Sequence, residues 1–162
     1  FVHLVRAVVG QQVSAGAARS IFEKCTLAAG GISPERLLAC GESALRAAGL
    51  STRKAEYVRA LSRAVLAGEV NFRAFRKLDD EAVIKSLVSV RGIGRWTAEM
   101  FLIFSLARAD ALPLGDQGLN NAVRELYGED ARIADFREIW SPFCSVACWY
   151  LWASRDNSPD KI

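Results

Sequence analysis

Apolar residues recur at helical spacing along almost all of this 162-residue chain, and each stretch is bounded by residues that start or stop helices. The alternating β-branched runs that mark strands are absent, and proline is scarce. Leu4, Val8 and Val9 define a short amphipathic helix that stops near Gly10. Ser14 is placed to cap a helix through about Ala28, closed by Gly30-Gly31. Ser33-Pro34-Glu35 joins a capping serine, a proline at the first helical position and an acid in the first turn, opening a helix that ends before Gly41. Another runs from about Glu42 to Ala48 and stops at Gly49. Ser51-Thr52 opens a longer helix carrying Tyr57, Val58, Leu61, Val65 and Leu66, closed by Gly68. Asp79 or Asp80 caps the next, whose apolar residues are Val83, Ile84 and Leu87. Further helices are predicted from about Arg95 to Ala107, Asp116 to Tyr127 and Pro142 to Ser154, with Pro113 breaking the chain. The polar tail from Arg155 to Ile162 is expected to fray. The pattern predicts an all-α bundle of many short helices.

Composition narrows the chemistry that such a bundle can host. Half of the chain is hydrophobic and about a quarter is charged, as in a soluble globular protein, and the net charge of +3 fits a nucleic-acid partner without requiring one. A single histidine, His3, argues against metal sites or triads built on imidazole. Cys25, Cys40, Cys144 and Cys148 have neither metal-site nor disulfide-framework spacing, so no metal is expected and all four are predicted to be buried and reduced. No signal peptide and no run long enough to span a bilayer is visible, so no membrane partner is expected. The chain begins at Phe1, already in apparent helix, which leads us to expect a further segment upstream.

The most informative stretch is Leu87-Val88-Ser89-Val90-Arg91-Gly92-Ile93-Gly94-Arg95-Trp96-Thr97-Ala98. Two glycines flank one apolar residue between two helices. Glycine permits a tight turn and close approach by another backbone. The amides that open the following helix are then available to an anion, while Ile93 anchors the turn in the core. Taken alone, this reads first as a plain turn between helices with glycine stops. Downstream, Leu112-Pro113-Leu114-Gly115-Asp116-Gln117-Gly118-Leu119 sets Asp116, 22 positions after Gly94, at a helix start, where an aspartate also serves as an N-cap. A cap and a reactive carboxylate are compatible only if part of the carboxylate can face a substrate.

Residues 87–98 closely resemble the helix-hairpin-helix motif of the HhH-GPD DNA glycosylase superfamily, and Asp116 stands at the spacing of that superfamily's aspartate. Arg6-Ala7-Val8-Val9-Gly10-Gln11-Gln12-Val13-Ser14 looks like the first helix and DNA-probing loop of its alkyladenine branch, and Trp140 to Ala147 is similar to that branch's final helix. The resemblance covers nearly the whole chain. It implies one glycosylase domain over residues 1–162, with one lobe at about 5–108 holding the hairpin at 88–95, a second at about 109–162 completed by an N-terminal segment, and the active site in the cleft between them.

The resemblance also implies roles for individual residues. Gln12, Arg91, Gly92, Ile93, Gly94, Arg95 and Thr97 would contact DNA; Trp96, Trp152, Met100 and Gln117 would line the base pocket; Asp116 would be catalytic. Relatives resembling endonuclease III carry a nucleophilic lysine two positions after the GxG, where Trp96 stands here, and often four cysteines in a short loop around an iron–sulfur cluster. Trp96 instead matches the tryptophan of the 3-methyladenine glycosylase II type. Expected, then, is monofunctional removal of alkylated purines by base flipping, leaving an abasic site. The partner would be duplex DNA bearing a damaged base, the protein a monomer, and no cofactor is required, a monovalent cation at residues 90–95 being the one candidate. A bacterial source would place it in the cytoplasm with the nucleoid, a eukaryotic one in the nucleus. There are departures: Met100 and Gln117 replace aromatic residues of broad-range members, Gln12 replaces a leucine wedge, and Cys144 stands where many relatives have arginine. The competing functions are a non-catalytic DNA-binding module, which needs the hairpin but not Asp116, and a glycosylase for mispaired or oxidised bases. A metal-dependent nuclease lacks the carboxylate cluster that it would need.

Overall fold

A computed structural model of the chain describes residues 1–156; the expectation of a frayed tail falls mainly on residues outside that range, while Arg155 and Asp156 are still helical. The described residues are all-helical, without a strand. In chain order the helices are α1 (Val2–Gly10), α2 (Ala15–Ala29), α3 (Pro34–Ala47), α4 (Thr52–Leu66), α5 (Asp80–Val88), α6 (Arg95–Phe104), α7 (Gln117–Tyr127), α8 (Arg137–Trp140) and α9 (Cys144–Asp156). They divide into two compact units, Phe1–Ala98 and Glu99–Ile162, with the division inside α6.

In the first unit the start signals act as read. Ser14, Ser33 and Ser51 each accept the N–H of the third residue on (3.3 Å), and it is Asp79, of the two candidates, that caps α5 through Ala82 (2.8 Å). Gly30 closes α2 in the left-handed region. Gly41, at φ 79°, breaks α3 into the two helical pieces expected on either side of it. Packing pairs α3 with α4, α2 with both α1 and α3, and α1 with α4. Leu4, Val8, Leu37, Leu45, Leu61 and Leu87 are almost wholly removed from water, each contributing about 1.5–3 kcal/mol of transfer free energy. A 3₁₀ turn, Ala74–Lys77, buries Phe75. Four residues are too few to show a period, so this turn had no signature in the sequence.

In the second unit α7 packs on α9 around Leu119, Val123, Ile133, Cys144, Cys148 and Leu151. The 3₁₀ turn Ile133–Phe136 and the single turn of α8 likewise have no periodic signature; they stack Phe136 between Tyr127 and Trp140, at 4.5 and 4.9 Å between ring centroids. Two expected helices have different bounds, α6 ending early and α9 starting late. α6 stops at Phe104, and Ala107, at φ 54°, is not helical. α9 starts at Cys144 and not at Pro142.

That late start has a cause in the loop before α7. Asp110 reaches across 34 residues to accept the N–H of Cys144 (3.2 Å) and the hydroxyl of Ser141 (2.9 Å), acting as a remote cap for α9. Ser145 donates its hydroxyl to the carbonyl of Arg108 (2.7 Å) and accepts the N–H of Ala111 (3.0 Å), while its own N–H bonds the carbonyl of Ala109. The start of α9 therefore fixes the loop that leads to Asp116. All four cysteines are free; Cys25, Cys144 and Cys148 are buried, whereas Cys40 is only half-buried, a departure from the expectation for all four.

Ser145→Ala should lower stability by about 1–3 kcal/mol, because it strands the buried N–H of Ala111, and thermal melting checks this. An unchanged melting temperature would show that the loop holds without it.

Candidate functional site

The hairpin lies in the first unit. Gly92 adopts φ 95°, where L side chains are strained, and a Cβ placed there would lie 2.1 Å from Cγ of Tyr57 on α4. Only glycine suits this turn. Gly94 differs: its backbone needs no special conformation, and a Cβ would meet open space. Its amide can be approached from outside. Ile93 is buried as the anchor of the turn, and the Thr97 side chain is buried in the first turn of α6, so contacts from either to an external ligand would be made by backbone. Arg91 pairs with Glu56 (3.3 Å) and Arg95 makes a two-pronged contact with Glu81; both pairs are exposed and screened by water. The Arg95 guanidinium holds the Glu81 carboxyl below its ordinary pKa. Trp96 is half exposed. Gln12, at the exposed tip of the loop after α1, has φ 55°, and the side-chain amide of Gln11 donates to the carbonyl of Gly92 (3.1 Å).

The second unit holds Met100, Asp116, Gln117 and Trp152. Asp116 is 7% exposed and caps α7: its Oδ1 accepts the N–H of Leu119 (2.8 Å) and, from α9, the indole N–H of Trp152 (3.3 Å). Asn120 ties the turn by donating its side-chain amide to the carbonyls of Leu114 and Asp116. The structure thus joins two of the predicted residues, Asp116 and Trp152, by a direct bond. A Cβ on Gly118 would come within 3.2 Å of Asp116 Oδ1 and 3.8 Å of the Trp152 ring, so the glycine leaves this pair its room. Gln117 is exposed and Met100 half-buried.

Several participants were missed in the sequence. Phe104 packs against Trp152 at 5.8 Å between centroids, and Trp96, Met100 and Phe104 follow one another at steps of four along α6. That step was visible; the partner was not. Gln11, Tyr57 and Gly118 act through contacts that only the fold creates.

Burial pushes the thiols of Cys148 and Cys144 up, to about 12 and about 11 respectively; for Cys144 the Asp110 carboxylate adds to this, and for Cys148 the neighbouring Cys144 and then Asp116 do. They are neutral core groups. Among the described residues no three His, Cys, Asp or Glu side chains gather to hold a metal, and no helix is long and apolar enough to cross a membrane. The units differ in charge. The first has 15 basic against 8 acidic side chains, a net +7, and the second 6 against 10, a net −4, which together make the +3 of the chain.

The family model of the HhH-GPD superfamily of base excision DNA repair proteins matches residues 5–142. The chain belongs to this superfamily. A DNA-3-methyladenine glycosylase 1 from Schizosaccharomyces pombe is 34% identical over 158 residues, covering 92% of this chain and 69% of that protein. The crystal structure of a DNA-3-methyladenine glycosidase from Bacillus halodurans superposes with a TM-score of 0.88 at 38% identity, over 96% of this chain and 75% of the other. The S. pombe 3-methyladenine DNA glycosylase Mag1, solved in complex with abasic DNA, gives 0.83 at 32% identity, over 99% and 82%. Each of these proteins has further chain beyond the match.

In this HhH-GPD chain the two hairpin glycines should separate cleanly on substitution. Gly92→Ala should destabilise the fold by about 1–3 kcal/mol through backbone strain, with a further cost from the clash with Tyr57. That cost should shrink in a Tyr57→Ala background, while Gly94→Ala should shift melting by no more than about 0.5 kcal/mol. Equal loss from both glycine variants in denaturant melts would contradict the division of labour.

Proposed function

We propose that this chain is a DNA glycosylase that removes alkylated purines of the 3-methyladenine type from duplex DNA, hydrolysing the bond between base and sugar and leaving an abasic site. The observation that carries the reading is the Asp116 carboxylate, buried at the N-terminus of α7 and oriented by two N–H donors on one oxygen. Membership of the superfamily supports it, as do the relatives named for 3-methyladenine removal, one of them solved on abasic DNA.

The first unit, with its net +7, supplies the grip. Amide N–H groups at Gly94 and the start of α6 donate to a phosphate oxygen, and Arg91 and Arg95 exchange their exposed carboxylate partners for phosphates. A monovalent cation at residues 90–95 would be held by hairpin carbonyls; those of Val90 and Gly92 each accept one hydrogen bond and have a second lone pair to offer, and the ion would add positive charge against the phosphate. Gln12 probes the stack, and the damaged nucleotide rotates out of it. We assign Trp96 of the first unit to stacking on the flipped base and, by the same family resemblance, Trp152, Met100 and Gln117 of the second unit to its recognition. A cationic alkylpurine over an indole gains about 0.5–2 kcal/mol.

Alkylation at a ring nitrogen already makes the base a good leaving group, so no strong general acid is needed. As the bond breaks, positive charge spreads over the sugar, and the Asp116 carboxylate opposes it. Trp96 occupies the position where lyase-competent relatives carry lysine, so the reaction ends at hydrolysis. The partner is duplex DNA with a damaged base, and the protein acts as a monomer.

Asp116→Asn preserves the shape and the acceptor oxygen that bonds Leu119 and Trp152. Stability should change by about 1 kcal/mol or less, while single-turnover excision of 3-methyladenine should fall about 10²–10³-fold. Near wild-type excision by this variant would leave the residue a helix cap and favour a non-catalytic DNA-binding module. Borohydride should trap no covalent adduct between the protein and lesion DNA; an adduct on the gel would overturn the monofunctional assignment.

A further inference from the structure

The loop that carries Gln12 is held at two points that the proposed reaction does not use. Lys54 of α4 donates its ammonium to the carbonyl of Val9, in the last turn of α1 (2.7 Å). Gln11 donates its side-chain amide to the carbonyl of Gly92, 81 residues away in the hairpin (3.1 Å). Between these ties and Ser14, Gln12 adopts φ 55°, a conformation that costs a residue with a Cβ free energy and persists only when its surroundings impose it. The hairpin end of the link is equally constrained. Gly92 is seated against the ring of Tyr57, so its carbonyl has little freedom to follow a loose partner.

Tyr57 and Lys54 are three residues apart on α4, which places them on one face of that helix. Glu56, between them in sequence, pairs with Arg91 of the hairpin. One helix thus braces the probing loop through Lys54 and the hairpin through Tyr57 and Glu56, and Gln11 closes the circuit directly. The chemistry of the link selects glutamine. The acceptor is a carbonyl, so a donor is required, and a carboxylate of the same length would set two acceptors against each other.

We propose that Gln11 is a positioning residue that locks the strained Gln12 to the phosphate-gripping hairpin, so that loop and hairpin meet DNA as one rigid surface. Where the hairpin seats on the backbone then determines where Gln12 enters the stack. The proposal rests on the reading of Gln12 as the probe and of Gly92–Gly94 as the phosphate grip.

The test uses a readout that needs no bond cleavage. A duplex carrying a stable abasic-site analogue beside 2-aminopurine reports local unstacking by fluorescence, and an undamaged duplex of the same sequence reports the grip. Gln11→Met keeps length and loses the donor; Gln11→Glu keeps length and polarity and reverses the sense of the bond. Both should bind undamaged duplex within about twofold of wild type, and their preference for the lesion duplex should fall roughly three- to tenfold, the scale of one lost hydrogen bond, with a matching loss of fluorescence rise. In the double variant Gln11→Met/Gln12→Ala the loss should be no greater than in Gln12→Ala alone, because Gln11 acts only through Gln12. Additive losses, an unchanged fluorescence rise in the folded Gln11 variants, or an equal drop in undamaged binding would each overturn the proposal. A wild-type protein that unstacks the duplex yet excises no alkylated purine would sink the glycosylase reading and leave this one standing.

Discussion

Asp116 Oδ1 closes the exposed amide end of α7 and also receives the indole N–H of Trp152, so that one atom joins the start of one helix to the flank of another. The core of the second unit forms around those same two helices, with Leu119 one turn beyond the cap and Leu151 beside the tryptophan. The side chain proposed for chemistry is therefore also a structural joint. A cap of this kind is worth about 0.5–2 kcal/mol, so most replacements would disturb the joint along with the charge. Asparagine is the exception, since it keeps the acceptor. The loop before the cap is made equally definite by Ser145, which occupies its carbonyls and amides from the α9 side, and by its own Asp110, which accepts the N–H of Cys144.

The hairpin belongs to a unit of net +7 and the aspartate to one of net −4, and the roles proposed for them make different electrostatic demands. Gripping a polyanion calls for basic side chains and presented amides. Opposing a developing cation on a sugar calls for a carboxylate. Even within the basic unit, Arg91 and Arg95 are engaged by Glu56 and Glu81, which moderates how strongly the hairpin attracts any phosphate. Release of DNA is as much a requirement as its capture.

Most of the helical architecture was legible in the sequence because its signals are local. Ser14, Ser33, Ser51 and Asp79 are caps that need nothing beyond the next three residues, and Gly30 and Gly41 stop or break helices through their own backbone freedom. The turns at Ala74–Lys77 and Ile133–Phe136 were not legible, being shorter than any periodicity. The late start of α9 depends on the bonds that Asp110 makes to Ser141 and Cys144, more than thirty residues away, which no local pattern encodes. At the candidate site the division is the same. Asp116, Gly92 and Ile93 could be read from type and spacing. Tyr57 under the hairpin, the Gln11 bond to Gly92 and the close fit of Gly118 to the Asp116–Trp152 pair arise only once distant segments pack.

The two buried cysteines of α9 acquire a meaning from the damage this protein is proposed to repair. Agents that alkylate purines are electrophiles, and the nucleophile that a cysteine offers them is the thiolate, not the neutral thiol. With their thiols raised to about 11 and about 12, Cys144 and Cys148 offer almost no thiolate at neutral pH, and their sulfur atoms are packed among Leu119, Val123 and Leu151. The core beneath Asp116 is chemically quiet under the conditions that create the substrate. Two of the four cysteines are thereby withheld from the class of reagent that creates the proposed substrate.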